Sequence, residues 1–274
     1  MRYLPNQRLP PDYPNGWIPI LESQRLQTNR PTEVKCLGTT FTVTRKSAKS
    51  LENEKDENET DTVIEVIEPD NKKAWQSVEL NGAIFVWHNA ENEEPSWSLD
   101  AVNELPGWTY RGRTEHSLHC HPQEIPENGA DIAHLNAIHV DSILFGSNLD
   151  TLHALAPYRF LSYSWNAQWS PSSPETPDSP HMSHIALTNQ IKLFSWTLFG
   201  LTFKVRQIGP AYVELRFHSQ TAFGEISGAF LQFVTPLAPL KTAIVHHLYT
   251  NSSLLAFLFS KFALYGEAKM VSDF

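Results

Sequence analysis

Short runs that alternate apolar and polar positions fill most of the chain. GWIPILES, EVKCLGTTFTVTR and VELNGAIFVWH are rich in β-branched and aromatic residues and bounded by Pro, Asn and Gly, so they predict strands. TVIEVIEP predicts a further short edge strand. Past residue 104, TEHSLHCHPQEI alternates like a strand; PENGAD then breaks it, and a helix is predicted to begin. FLSYSWNAQWS, HIALTNQIKLFSW, LTFKVRQIG, AYVELRFHS and ISGAFLQFVTP read as successive antiparallel strands, with GP and PLAP as turns. The closing stretch SSLLAFLFSKFALYGEAKMVSD has the helical period, with Ser252 or Ser253 suited to the N-cap. Antiparallel strands closed by one long helix predict an α+β fold in which the sheet grips the helix.

Two stretches fit neither period. KSLENEKDENETD, residues 49–61, carries six acids and two lysines and predicts a solvated loop. PSSPETPDSPH, residues 171–181, reads as a Pro- and Ser-rich connection. The change of character near residue 104 divides the chain into an N-terminal β part, 1–103, and a second part, 104–274.

Composition narrows the function. Apolar residues at 41% and aromatics at 11% exclude wholesale disorder. A net charge of −9 argues against a nucleic-acid partner, which needs a concentrated basic surface. Two cysteines, Cys36 and Cys120, make neither a disulfide framework nor a four-cysteine metal site, and two reduced thiols are expected. MRYLPNQRLPPDYPNGW has no apolar run, which predicts neither a signal peptide nor an anchor. LLAFLFSKFALYG is too short to span a bilayer and contains Lys261, so a cytoplasmic chain is expected.

Candidate chemistry concentrates in PENGADIAHLNAIH, residues 126–139, where Asp131, His134 and His139 stand among small and apolar residues. In a helix Asp131 and His134 share a face. His134 and His139 lie about 140° apart around an ideal helix, so a local widening or a helix end is needed to converge them. Two imidazoles and a carboxylate suit a non-haem Fe(II) triad. On spacing alone, histidines that merely fill space are the favoured reading over metal ligation.

HCHPQEIPENGADIAHLNAIH resembles the catalytic segment of Rieske-type non-haem iron oxygenases, and within them the Neverland cholesterol 7-desaturase group. YPNGWIPILES, VKCLGTTFTVTR, VELNGAIFVWHNAENEEPSW and GAFLQFVTPLAPLKTAIVHHLY agree with that group, so the resemblance covers most of the chain outside 45–75. It implies a Rieske-like β part followed by a helix-grip catalytic domain. It also implies mononuclear Fe(II) held by His134 and His139. Asp131 would hydrogen-bond a ligand histidine and relay electrons between subunits of a homotrimer. The implied activity is 7,8-dehydrogenation of a cholesterol-like sterol by dioxygen, with electrons from NAD(P)H through a reductase and a 2Fe–2S centre. The family is membrane-associated.

The chain departs from this pattern in two places. The family's cluster needs C-x-H and C-x2-H pairs among the early β blocks, and residues 45–75 contain neither Cys nor His. A 2Fe–2S cluster is therefore not expected to bind. The family's third iron ligand is an aspartate after the last helix, for which Asp273 is the nearby acid. An impaired or incomplete sterol oxidoreductase follows; the alternative is a non-catalytic sterol or lipid carrier, or an inactive fragment.

Other residues compete for attention. His119 and His121 are predicted to share a face of a strand, where the pair could chelate a metal; the resemblance implies instead that His121 lines or supports the cavity. Glu124, Glu127 and Asn128 read either as organisers of the iron segment or as turn and cap chemistry. His246 and His247 are predicted at a strand-to-helix junction with one ring outward. Trp165, Phe194, Trp196, Phe230 and Phe233 suit a flat apolar ligand, though core packing explains strand aromatics as well.

Overall fold

The computed structural model describes residues 11–47, 62–70, 72–133, 161–171, 180–194 and 196–272. Strands β1 (Gly16–Glu22), β6 (Ser77–Leu80) and β7 (Ala83–His88) form a three-stranded sheet in the order β1-β7-β6. Strands β2 (Thr32–Cys36), β3 (Thr39–Ser47), β4 (Thr62–Glu68) and β5 (Lys73–Trp75) form a four-stranded one in chain order. TVIEVIEP is thus not an edge: β4 pairs with β3 on one side and β5 on the other.

The β6–β7 hairpin shows how local chemistry fixes register. Asn81 and Gly82 both take positive φ, 52° and 85°, as a tight two-residue turn demands. The buried Asn81 amide donates to the Asp100 carbonyl at 2.9 Å and to the Tyr212 hydroxyl at 3.0 Å. Its carbonyl oxygen accepts the Val102 N–H at 2.8 Å, so one turn residue ties the hairpin to the next segment and to the larger sheet.

That larger sheet is seven-stranded and wholly antiparallel. Its members are β8 (Thr109–Leu118), β9 (Leu161–Pro171), β10 (Met182–Leu193), β11 (Trp196–Ile208), β12 (Tyr212–Thr221), β13 (Gly224–Ala238) and β14 (Lys241–Thr250), in the order β8-β14-β13-β12-β11-β10-β9. Both faces are covered, which is why β13 reads as a nearly continuous apolar run. One face packs Phe203, Phe217, Ile226 and Phe230 against Ala256, Phe259 and Ala263 of the C-terminal helix α2 (Leu254–Ser272). The other packs Tyr212, Leu231 and Phe233 against Trp17, Phe85 and Trp87 of the three-stranded sheet. The far end of β13 reaches the four-stranded sheet, where the Leu37 N–H donates to the Pro236 carbonyl at 2.7 Å.

Helix α2 begins at Ser253, whose hydroxyl accepts the Ala256 N–H at 3.1 Å. The α+β class and the sheet gripping one long helix therefore stand. The helix is apolar on both sides: it buries Ala256, Phe259, Ser260 and Ala263 and exposes Leu254, Leu258 and Phe262. Among the described residues no helix is long and apolar enough to cross a membrane.

Candidate functional site

The expected iron segment enters through a short helix, α1 (Glu124–Ala130). PENGA lies inside this helix rather than breaking before it; Pro126 sits in the first turn, where no intrahelical donor is needed. The Asp131 N–H closes the helix on the Glu127 carbonyl at 3.0 Å, and Asp131 departs at φ −78°, ψ 81°. The helix thus ends at Ala130, with Asp131 as its C-cap. Oδ1 of the exposed Asp131 accepts the Ala133 N–H at 3.1 Å, a local Asx turn. His134, His139 and Asp273 lie outside the described residues.

Helix α1 is docked by one buried side chain. Gln207 of β11 donates from Nε2 to the Pro126 carbonyl at 2.9 Å, and its Oε1 accepts the Ser183 hydroxyl at 2.5 Å. Gly129 lies so close to this amide that a Cβ there collides with Nε2. Gln207 alternates with Phe203 and Val205, which face α2, so α1 and α2 occupy the same side of the sheet.

The neighbouring candidates resolve into structural roles. Strand β8 ends at Leu118, so His119 and His121 are not strand partners. His119 is exposed. The His121 ring braces its loop, with Nε2 3.1 Å from the Pro11 carbonyl oxygen and Nδ1 accepting the Gln123 N–H at 3.2 Å. Glu127 caps its own helix by accepting from Gln123 Nε2 at 2.9 Å, and Glu124 and Asn128 are exposed. Trp165, Phe230 and Phe233 are core, whereas Phe194 and Trp196 stand out at the β10–β11 turn, 74% and 76% exposed.

His246 and His247 depart furthest from expectation. They sit in the middle of β14, not at its junction with the helix, and both are buried. A strand sends neighbours to opposite faces, and here both faces are interior. His247 meets Glu22 of β1 at 2.7 Å, and Glu22 also takes Arg113 of β8 at 3.0 Å. Burial pushes the Glu22 carboxyl up, but the hydrogen bond from His247 and the charges of Arg113, His247 and Arg25 outweigh it and hold it below the ordinary range.

On the opposite face His246 Nδ1 lies 2.8 Å from Glu267 Oε1 of α2, and His116 Nε2 of β8 lies 3.3 Å from the same oxygen. Burial again opposes ionisation, yet His246, His116 and Thr114 hold the Glu267 carboxyl far below its usual range. Sequence spacing carries no sign of this cluster, because its three members come from three elements joined only by strand register and helix docking.

Both cysteines are free. Cys36 is wholly buried, which drives its thiol far upward; burial and the charge of Glu124 raise Cys120. Cluster ligation takes two thiolates and two imidazoles held together. A chain with two cysteines, one a core residue of β2, does not offer that set, and the residues present do not fit a 2Fe–2S centre.

Comparison with known proteins bears directly on this arrangement. The profile of the 3-ketosteroid 9alpha-hydroxylase C-terminal domain matches residues 86–255. The Bombyx mori cholesterol 7-desaturase is 32% identical over 290 aligned residues, covering 92% of this chain and 61% of its own length. Cholesterol 7-desaturase 1 of Ciona intestinalis is 33% identical over 301, covering 96% of this chain and 62% of its own. This chain therefore spans about three-fifths of these relatives. Both alignments are longer than its 274 residues and so require gaps in it. The crystal structure of dicamba monooxygenase bound to dicamba shares the fold, with a TM-score of 0.58 at 10% identity over 94% of this chain and 86% of that one. The sheet gripping α2, the D-x2-H-x4-H segment after α1 and these relatives lead to one conclusion: the chain belongs to the Neverland cholesterol 7-desaturase group of Rieske-type non-haem iron oxygenases.

Proposed function

We propose that this chain is a sterol oxidoreductase of the cholesterol 7-desaturase type, with its catalytic part kept and its electron entry impaired. The observation that carries the reading is that Asp131, His134 and His139 fall inside the matched span 86–255. The division runs near residue 103, between a Rieske-like β part without cluster ligands and a helix-grip catalytic part. His134 and His139 would hold mononuclear Fe(II), a donor chemistry that fits the metal, and the ion would supply dioxygen activation. Asp131 fixes ring orientation and ligand basicity from beside the pair. Docking of α1 on Gln207 sets where Asp131 stands. The partners are a cholesterol-like sterol, a reductase delivering electrons from NAD(P)H, and two further copies in a homotrimer. Membrane association follows from the family.

A second reading is a non-catalytic sterol or lipid carrier, favoured by the missing cluster donors. Anaerobic reconstitution with Fe(II) separates the two. Iron lost in His134→Ala supports the enzyme lineage, whereas tight sterol binding with no iron supports the carrier. With reductase, NADPH and cholesterol supplied, little or no 7,8-unsaturated product is expected. Robust turnover sinks the claim of impaired electron entry.

A further inference from the structure

We propose that His116, His246 and Glu267 form a second, structural site for a divalent transition metal of the zinc type, clasping α2 to the β8–β14 edge of the sheet. The site is separate from the D-x2-H-x4-H segment and shares no residue with it. Its three ligand atoms all lie within 4.8 Å of one another. An ion held at about 2.0–2.1 Å by tetrahedral N and O ligands sets them about 3.3 Å apart. The 3.3 Å from His116 Nε2 to Glu267 Oε1 matches that edge, and the 2.8 Å from His246 Nδ1 lies slightly inside it.

Three further observations point to a ligand. His116 Nε2, His246 Nδ1 and both Glu267 oxygens are buried and have no partner in hydrogen-bonding geometry, despite their closeness. His246 and Glu267 are only 7% and 8% exposed, so water does not satisfy them from outside. The far nitrogen of His246, Nε2, lies 3.0 Å from Gln232 Oε1 on the adjacent strand. When that nitrogen donates to the amide oxygen, a neutral ring turns the Nδ1 lone pair toward the carboxylate. Two acceptors facing each other across 2.8 Å need a proton or a metal ion between them, and a metal ion also serves His116 Nε2. An outer amide that orients a ligating imidazole is a common support for a metal. Thr114 stands on the same face of β8, beside Glu267. It or a water would fill the fourth position. Two imidazoles and one carboxylate, closed over by a helix, match zinc among the common divalent metals.

The test uses the full chain with His134→Ala and His139→Ala, so that the family's expected iron ligands are removed. After chelation, Zn2+ is titrated calorimetrically and Tm is followed with and without the metal. We expect one equivalent bound, a rise in Tm on binding, and at least tenfold weaker binding once Glu267→Gln is added. Absence of zinc binding, or binding unchanged by Glu267→Gln, overturns the proposal. Should the Glu267 variant fail to fold, Co2+ added to the parent decides. An intense tetrahedral d–d spectrum with imidazole ligation supports the site; a weak octahedral spectrum, or none, overturns it. His134→Ala alone leaves this zinc uptake intact while abolishing iron uptake, which keeps the two sites distinguishable.

Discussion

Glu22 joins elements that have no reason to meet in sequence. It is buried in β1 and receives His247 from β14 and Arg113 from β8, two of them partners across the larger sheet. Removing one member of a buried charged pair strands the others. Glu22→Gln is therefore expected to cost about 2–3 kcal/mol at neutral pH, on the scale of hydrogen bonds to charged groups. Because the folded-state pKa of Glu22 is lowered, its contribution is present above the ordinary glutamate range of about 4.3 and is lost as pH falls through the folded value. Denaturation of both proteins across pH checks this: the gap in stability should be full at pH 7 and close on the acid side. A gap that widened in acid would reverse the assignment. Little of this was legible beforehand. A pair of adjacent histidines in a strand implies opposite faces, but only a sheet covered on both sides makes both of them interior.

At the scale of elements, α2 shows how far a helical period carries. The period placed the helix and its Ser253 cap correctly. It did not say which face is buried, because large apolar residues recur all around the axis. Close approach decides instead. Gly112 of β8, at φ 143°, has Leu264 so near that an added Cβ would sit 2.9 Å from its terminal methyl. Leu264 thus reaches the sheet through the space Gly112 leaves, beside the buried Ala256, Phe259 and Ala263, while Leu258 and Phe262 remain 50% and 53% exposed. Leu258→Lys and Phe262→Lys should each change stability by no more than about 0.5 kcal/mol. Gly112→Ala, by contrast, should cost about 1–3 kcal/mol through backbone strain and overpacking. Urea melts of the three variants settle the ranking, and a larger loss from the lysines would mean the helix is seated the other way round. Helix α1 teaches a related lesson. Gly and Pro in PENGAD read as a breaker, yet Pro is tolerated in a first turn and Gly129 is needed for the approach of Gln207.

Across the whole molecule, the larger sheet is the middle layer. Tyr212, Leu231 and Phe233 share a core with Trp17, Phe85 and Trp87, while the reverse face closes on α2. A core shared across the proposed boundary near residue 103 predicts one cooperative unfolding transition. Tryptophan fluorescence, reporting Trp17 and Trp87 with Trp165, should coincide with far-UV circular dichroism. Two separated transitions would show that the N-terminal sheets fold independently of the larger one.

The sequence by itself determined the antiparallel strands, the long closing helix with its cap, the D-x2-H-x4-H spacing and the lack of cluster donors, because alternation, capping chemistry and donor counts are properties of neighbours along the chain. Tertiary structure alone decided that α1 ends at Ala130, that His247 answers Glu22, and that His116 and His246 converge on Glu267. Those meetings depend on the β8–β14 register and on the seating of α2, and both are set by packing between residues far apart in the chain.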